Sequence, residues 1–208
     1  MKKTMTVVLL ALLSLLLAVS CDTAKASDGY EVGKKGPSGG LIVYVNPNAE
    51  TDGWTYLEAA PADVVVNGTT TFMIGYYYPS NTSSPASFST EKEIGKGKSN
   101  TEKLLETKSY RHTALNYSST VVGDNDFAPK VASDYTVKGC SGWFLPSLEE
   151  LKLMWEMKTE LGMNAETYLS STVADSCYVV STKDIAKQYN EKYIVGNATA
   201  AVRCVRTF

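Results

Sequence analysis

The sequence is poor in the residues that most often carry catalysis or bind metals. It has one histidine, His112, among 208 residues, and no nucleophile stands beside it in the sequence. The sequence contains no phosphate-binding loop, dinucleotide fingerprint or zinc-ligand spacing. We therefore expect a protein that is not an enzyme, with no catalytic residue, no cofactor and no bound metal.

The chain also lacks an excess of basic residues. Its 20 lysines and arginines stand against 22 aspartates and glutamates, a formal charge of −2. Without residues 1–20 the balance is 18 basic to 22 acidic residues, a charge of −4. Proteins that bind nucleic acid usually carry a strongly basic balance or stripe. We therefore exclude nucleic acid as a partner.

Long hydrophobic runs are equally scarce, since the only one, from Val7 to Val19, is too short to cross a bilayer comfortably as a helix. It follows Lys2 and Lys3 and predicts a secretory signal peptide at residues 1–20.

The letters LAVSC then end at Cys21, which resembles the lipobox of bacterial lipoproteins, although Ala18 stands where leucine is commoner. The resemblance implies that Cys21 is lipidated and that the protein is anchored to a membrane of the bacterial cell envelope, facing the periplasm or the exterior. A plain signal peptide is the alternative.

The remaining chain predicts a short tether and one domain. Residues 21–38 are polar and glycine-rich, which favours a flexible tether, and residues 39–208 are long enough for one hydrophobic core. Three cysteines remain beyond Cys21. Cys177 and Cys204 both lie in strand-like runs and are the preferred disulfide, with Cys140 and Cys204 as the competing pair.

Hydrophobic patterns predict an α+β fold. Residues 39–60 read as a hairpin of two strands joined by the turn NAETDG. Ser99, with Glu102 three positions later, predicts the start of a first helix that ends near Ser109. Ser147 and Glu150 predict the start of a second helix that runs to Gly162. The stretch between these helices is expected to wind over the surface, and the last two strand-like runs to form an antiparallel pair.

Six motifs in order carry a family resemblance. GGLIVYVN, GWTYLEAAPAD, IGKGKSNTEKLL, GWFLPSLEELKLMWE, YLSST and VRCVRTF span residues 39–208. Together they resemble the C-terminal-type domain of the collagen-like surface adhesin Lcl, a bacterial domain family of unknown function. Gly142 and Leu169 depart from the aspartate and tryptophan that the family often has. The resemblance implies a C-type-lectin-like architecture, with two helices packed on short antiparallel strands and long irregular loops.

Two groups of residues in these motifs are expected to be structural. Trp143, Phe144, Leu145 and Pro146 directly precede the second helix, where large apolar groups fit the core better than a ligand site. Arg203 and Arg206 are three positions apart and would point to opposite faces of a strand. One is expected to form a salt bridge with a buried carboxylate such as Glu149 or Glu150, and the other to face solvent or a ligand.

The candidate ligand-binding residues lie in loops at residues 72–90 and 116–136. Tyr76, Tyr77 and Tyr78 offer broad amphipathic contact area, suited to sugars or protein surfaces. Asp124 and Asp126 are further candidates, although the stretch lacks the spacing of a calcium loop and favours an ordinary turn.

These features predict a non-catalytic binding module that recognises a glycan or another envelope or host macromolecule. The alternatives are a relative of formylglycine-generating enzymes with a reactive thiol, and a structural envelope lipoprotein.

Overall fold

The structure, a computed structural model, describes residues 29–72, 74, 89–111, 126–173, 177–181 and 199–208. They form a mixed α/β fold with small antiparallel sheets and a few helices, which confirms the α+β class. The strands are β1 (Leu41–Val45), β2 (Tyr56–Ala59), β3 (Thr167–Val173), β4 (Cys177–Ser181) and β5 (Val205–Thr207). The helices are α1 (Ala49–Asp52), α2 (Gly97–Arg111), α3 (Ala128–Asp134), α4 (Leu148–Glu156) and α5 (Lys158–Leu161).

The predicted hairpin is confirmed and supplies two strands of a three-stranded sheet. β1 and β2 are antiparallel, with Leu41 opposite Ala59 and Val45 opposite Tyr56, and α1 lies in the turn between them. β5 pairs with the other side of β2, while β3 and β4 form a separate two-stranded sheet. The expectation that the last two strand-like runs pair with each other is therefore wrong for β5, whose partner is β2.

The C-terminal segment, residues 200–208, connects the two sheets. Ala201 receives the backbone N–H of Leu169 on β3 at 3.0 Å, and Val205 exchanges two backbone hydrogen bonds with Phe144. Outside the strand pairs, its other backbone partners are spread along the chain: Thr55, Tyr56, Ala60, Val64, Phe72 and Thr167. This one short stretch thus makes backbone hydrogen bonds to both sheets and to the chain that follows β2.

The Trp143–Pro146 segment is buried, as expected. Trp143 and Leu145, with exposed fractions of 2% and 0%, belong to a first core cluster, whereas Phe144 belongs to a second. This alternation is that of extended chain, in which successive side chains point to opposite sides. The first core cluster also includes Phe72, Ile74, Leu104, Ala128, Val131, Ala132, Val173 and Val202. The second includes Leu57, Leu151, Met154, Trp155, Tyr168 and Val205. The segment therefore packs against both parts of the core.

The second predicted helix is confirmed together with its cap. The Ser147 hydroxyl accepts the backbone N–H of Glu150 at 3.3 Å, and the Glu150 carboxylate accepts that of Ser147 at 2.7 Å. α4 ends at Glu156, and after a break at Met157 α5 continues to Leu161, next to Gly162. None of the helices among the described residues is long and apolar enough to cross a membrane.

Two helix predictions need correction. α2 begins at Gly97, so Ser99 lies inside its first turn, where its hydroxyl donates to the Lys96 carbonyl at 3.1 Å instead of capping the helix. The expectation that the chain before the second helix only winds over the surface is also wrong, because α3 forms there. Pro129 occupies its first turn, a position that tolerates proline, and its small apolar residues enter the first core cluster.

The packed domain begins earlier than the predicted tether boundary. Ser38 is fully buried, and its hydroxyl donates to the Glu58 carboxylate at 2.6 Å. The Tyr30 ring contacts the Tyr56 ring edge-on at 5.3 Å. The tether prediction is therefore wrong for residues 29–38. The signal peptide, Cys21 and the rest of the predicted tether lie outside the described residues.

We expect Ser147→Ala to lower the free energy of unfolding by about 1 kcal/mol, because it leaves a backbone N–H at the start of α4 without its cap. Ser99→Ala is the matched control: its hydroxyl caps nothing, so the change should stay within about 0.5 kcal/mol. Urea denaturation of the purified variants measures both. Equal losses for the two serines would contradict the cap assignment.

Candidate functional site

The bases of the predicted tyrosine loop are fixed, although Tyr76, Tyr77 and Tyr78 themselves lie outside the described residues. On the N-terminal side, Phe72 is fully buried and exchanges two backbone hydrogen bonds with Ala200. On the C-terminal side, the Thr90 hydroxyl donates to the Ser171 carbonyl at 2.7 Å and accepts the Val173 N–H at 2.7 Å. The residues on both sides of the predicted loop are thus hydrogen-bonded to the rest of the domain.

The second predicted loop, residues 116–136, is a loop only in part. Its residues Ala128–Asp134 form α3, which contacts α2 and buries four residues, so the prediction of a ligand-binding loop is wrong for this part. Asp124 lies outside the described residues; Asp126 is described and is half-buried just before α3. No cluster of histidine, cysteine and acidic side chains that could hold a metal occurs among the described residues.

The structure brings the bases of both loops to the same part of the core. Phe72 and Ile74 from the first base, Leu104 of α2 and Val131 of α3 all belong to the first core cluster. Val173, which binds Thr90 at the other end of the first loop, belongs to it as well. Residues at the bases of both stretches are therefore part of one packed core cluster.

A buried network of hydrogen bonds connects the chain before α2, β3 and the start of α4. The Asn100 amide donates to the Glu91 carbonyl at 2.6 Å and accepts the Glu91 N–H at 3.0 Å. The Thr172 hydroxyl donates to the Glu91 carbonyl at 3.0 Å and accepts the Leu148 N–H at 2.9 Å. The Ser171 hydroxyl donates to the Pro146 carbonyl at 3.1 Å. The YLSST motif is thus a connector between the chain before α2 and the start of α4.

The two arginines of the C-terminal segment are both buried, with exposed side-chain fractions of 2% for Arg203 and 1% for Arg206. Arg203 donates to Asp63 at 2.6 Å, and Asp63 also accepts the Tyr168 hydroxyl at 3.0 Å. Arg206 donates to Glu58, also fully buried, at 3.0 Å. The expectation of Glu149 or Glu150 as a partner, with one arginine facing solvent or a ligand, is therefore wrong.

Glu58 and Asp63 were not identified from the sequence as partners of these arginines. Glu58 lies in β2 beside an alanine-rich stretch and looks like any carboxylate on the solvent face of a strand. Its Oε1 accepts the N–H of Ser38 at 3.0 Å and that of Gly40 at 3.2 Å. The available signal was the two-residue period of a strand, which places the Glu58 side chain on the same face as that of Tyr56.

Glu150 is a buried carboxylate that fastens the chain before α2 to α4. It accepts the N–H of Gly95 at 2.8 Å and that of Ser147 at 2.7 Å. Gly97 lies so close that a Cβ there would overlap the carboxylate. Burial raises the pKa of Glu150 to about 7, because the loss of hydration outweighs these backbone hydrogen bonds.

The predicted disulfide between Cys177 and Cys204 is wrong, because Cys204 is a free, fully buried thiol. The competing pair of Cys140 and Cys204 is wrong for the same reason. Cys140 is disulfide-bonded, and its partner side chain lies outside the described residues. The strand-like surroundings of Cys204 marked a core position, where the apolar thiol packs in the first core cluster.

We expect Glu58→Gln to lower the free energy of unfolding by about 3–5 kcal/mol, since Arg206 would be left buried without its counter-charge. Glu149→Gln is the control, because Glu149 pairs with Lys152 at 2.8 Å on the surface, where an ion pair contributes less than about 1 kcal/mol. Denaturant titration compares the two. A loss as small for Glu58 as for Glu149 would show that the buried pair is not needed for stability.

A second prediction concerns pH. The folded-state pKa of Glu150 lies above its ordinary value of 4.5, so the folded protein takes up the proton more readily than the unfolded chain. Its contribution to stability is complete below about pH 4.5 and is lost as the pH rises to about 7, by at most roughly 3 kcal/mol. Glu150→Gln should remove this slope. Unfolding free energies of both proteins across that range test it, and parallel curves would refute it.

Comparison with known proteins does not place the chain in a family. No model of a known protein family matches it, and no curated protein is significantly similar to it. The resemblance of its six motifs to Lcl C-terminal-type domains therefore stays a hypothesis.

Proposed function

We propose that this protein is an envelope-anchored lipoprotein whose single domain is a non-catalytic binding module for a glycan or another envelope or host macromolecule. The observation that supports it most is the common origin of the two candidate loops. Residues at the bases of both loops belong to the first core cluster, so both loops are attached to a rigid support.

The proposed architecture is a C-type-lectin-like domain of the Lcl C-terminal type. Its support is the order of the six motifs together with the role that several of them play in the described residues. The hairpin, the capped helix, the YLSST connector and the C-terminal arginines each hold long-range contacts. In such a domain these elements form the framework, and the loops are available to recognise ligands.

The proposed anchor rests on the N-terminal sequence. A hydrophobic run from Val7 to Val19 after two lysines, followed by LAVSC, supports export and lipidation at Cys21. Several acyl chains on one residue give stable membrane attachment, which a single chain does not. The domain would then be presented at a membrane surface of the cell envelope.

The alternative, an enzyme of the formylglycine-generating type, requires an accessible thiol with a low pKa. Cys204 is fully buried, and burial raises its pKa well above the ordinary value. Cys140 is bound in a disulfide. These two cysteines therefore favour the binding module over the enzyme.

A glycan array with the purified protein tests the proposal, run with and without calcium and at two salt concentrations. Selective binding to one class of sugar would support it, and the salt dependence would separate charge attraction from stacking on neutral sugars. No binding under any condition would argue for a structural role or a protein partner.

We expect the triple substitution of Tyr76, Tyr77 and Tyr78 by alanine to abolish binding to the ligand found on the array. The tyrosines would supply the contact area, while the loop bases at Phe72 and Thr90 remain intact. Circular dichroism controls for folding. Unchanged affinity in a folded triple variant would remove this loop from the site.

A further inference from the structure

We infer that Tyr44 and Trp54 form a second recognition surface, the Tyr44–Trp54 platform, which stacks against an uncharged sugar unit of a glycan. The inference rests on the proposed glycan-binding function but places part of it on the hairpin, away from the tyrosine loop. Tyr44 lies on the edge strand β1, and Trp54 lies just before β2. Neither residue was a candidate from the sequence.

The platform consists of two adjacent, partly exposed aromatic rings. The ring centroids of Tyr44 and Trp54 are 6.1 Å apart, and the ring planes are inclined by 45°. Both side chains are half-buried against the second core cluster. The other two tryptophans of the chain, Trp143 and Trp155, are 2% and 5% exposed. Trp54 is therefore the tryptophan whose ring is available to a ligand.

Hydrogen bonds within the turn between β1 and β2 fix the backbone at Trp54. Asn46 is buried, and its side-chain amide donates to the Trp54 carbonyl at 3.1 Å and to the Asp52 carboxylate at 2.9 Å. The Asn46 N–H donates to the Thr55 carbonyl at 2.7 Å, which closes the turn. A buried polar side chain thus fixes the backbone at Trp54 and the exposed Asp52 carboxylate in the same turn.

The chain before α2 supports Trp54 from another side. A Cβ at Gly95 would lie 3.2 Å from Cζ2 of Trp54, so the backbone there packs directly on the ring. The Gly95 N–H is held by the buried Glu150 carboxylate at 2.8 Å. The ring is therefore held before any ligand arrives, which lowers the entropy cost of stacking.

Charges near the platform decide between classes of glycan. Lys96 pairs with Glu91 at 2.8 Å on the surface. The pKa of Lys96 is raised, first by its hydrogen bond to Glu91 and further by the charges of Glu93 and Asp52. The charges of three carboxylates thus act on one ammonium group, and this negative balance disfavours a sulfated or otherwise anionic chain. An uncharged sugar fits, because its apolar face can stack on Trp54 without bringing a charge toward these carboxylates.

Quenching of tryptophan fluorescence tests the platform directly. Acrylamide reaches Trp54 more readily than the two buried tryptophans, so a ligand on the platform should protect the signal. The probes are chitohexaose, laminarihexaose and mannohexaose as neutral glycans, and a heparin hexasaccharide as an anionic one. We expect protection by at least one neutral probe and none by heparin.

Matched variants assign the effect to the platform. Trp54→Ala should weaken binding of the protecting probe about tenfold or more in titration calorimetry, whereas Trp54→Phe, which keeps a flat ring, should retain part of the affinity. Val65→Ala is the control, because Val65 is an exposed apolar residue whose neighbours Val64 and Val66 pack in the first core cluster, whereas the platform packs on the second. Unchanged affinity of Trp54→Ala, protection by heparin alone, or no protection by any neutral probe would overturn the inference.

The tyrosine-loop variant separates this inference from the proposed function. If the triple alanine variant at residues 76–78 loses binding and Trp54→Ala does not, the platform is wrong and the tyrosine-loop site stands. If Trp54→Ala loses binding and the triple variant does not, the platform stands and the tyrosine-loop site is wrong. Loss in both variants supports a ligand that spans the two surfaces.

Discussion

The buried ion pairs of the C-terminal segment are the constraint on which the rest of the structure depends. Arg203 and Arg206 are almost completely removed from water, and each has a carboxylate from the region of β2 as its partner. A buried charge is tolerated when it is paired and hydrogen-bonded, so the two arginines can occupy these places only if Glu58 and Asp63 are also in place. The pairs therefore define one position of the segment against the hairpin.

Once the segment is fixed, the other parts of the fold have a defined place. Val205 pairs with Phe144, which holds the Trp143–Pro146 segment, and that segment leads directly into the capped helix α4. Glu150 then fastens the chain before α2 to the same helix. The C-terminal segment, the Trp143–Pro146 segment and α4 thus form the framework of the domain. The proposed ligand-binding parts, the two loops and the Tyr44–Trp54 platform, are attached to this framework.

The same local signal placed the start of α4 correctly and that of α2 incorrectly. The capping box of Ser147 and Glu150 depends on residues three positions apart, so the sequence alone was sufficient to place it. The partners of Arg206 and of β5 were missed because they come from the start of the domain, and no local pattern records such a pairing. Cys204 was assigned to a disulfide because its strand-like surroundings indicate burial but do not reveal whether a second cysteine lies within reach. The Tyr44–Trp54 platform likewise requires the turn at Asn46 to bring the two rings together.

The central position of the C-terminal segment has a consequence for the order of folding. Every backbone partner of the segment, from Thr55 to Leu169, precedes it in the chain. During synthesis these partners are therefore made before the segment, and both core clusters can close only after the segment has been made. Contacts between distant parts of a sequence also form slowly, because a long loop must be closed before they are made. Neither core cluster is complete until residues 200–208 are available, because Ala200, Val202 and Cys204 belong to the first cluster and Ala201 and Val205 to the second.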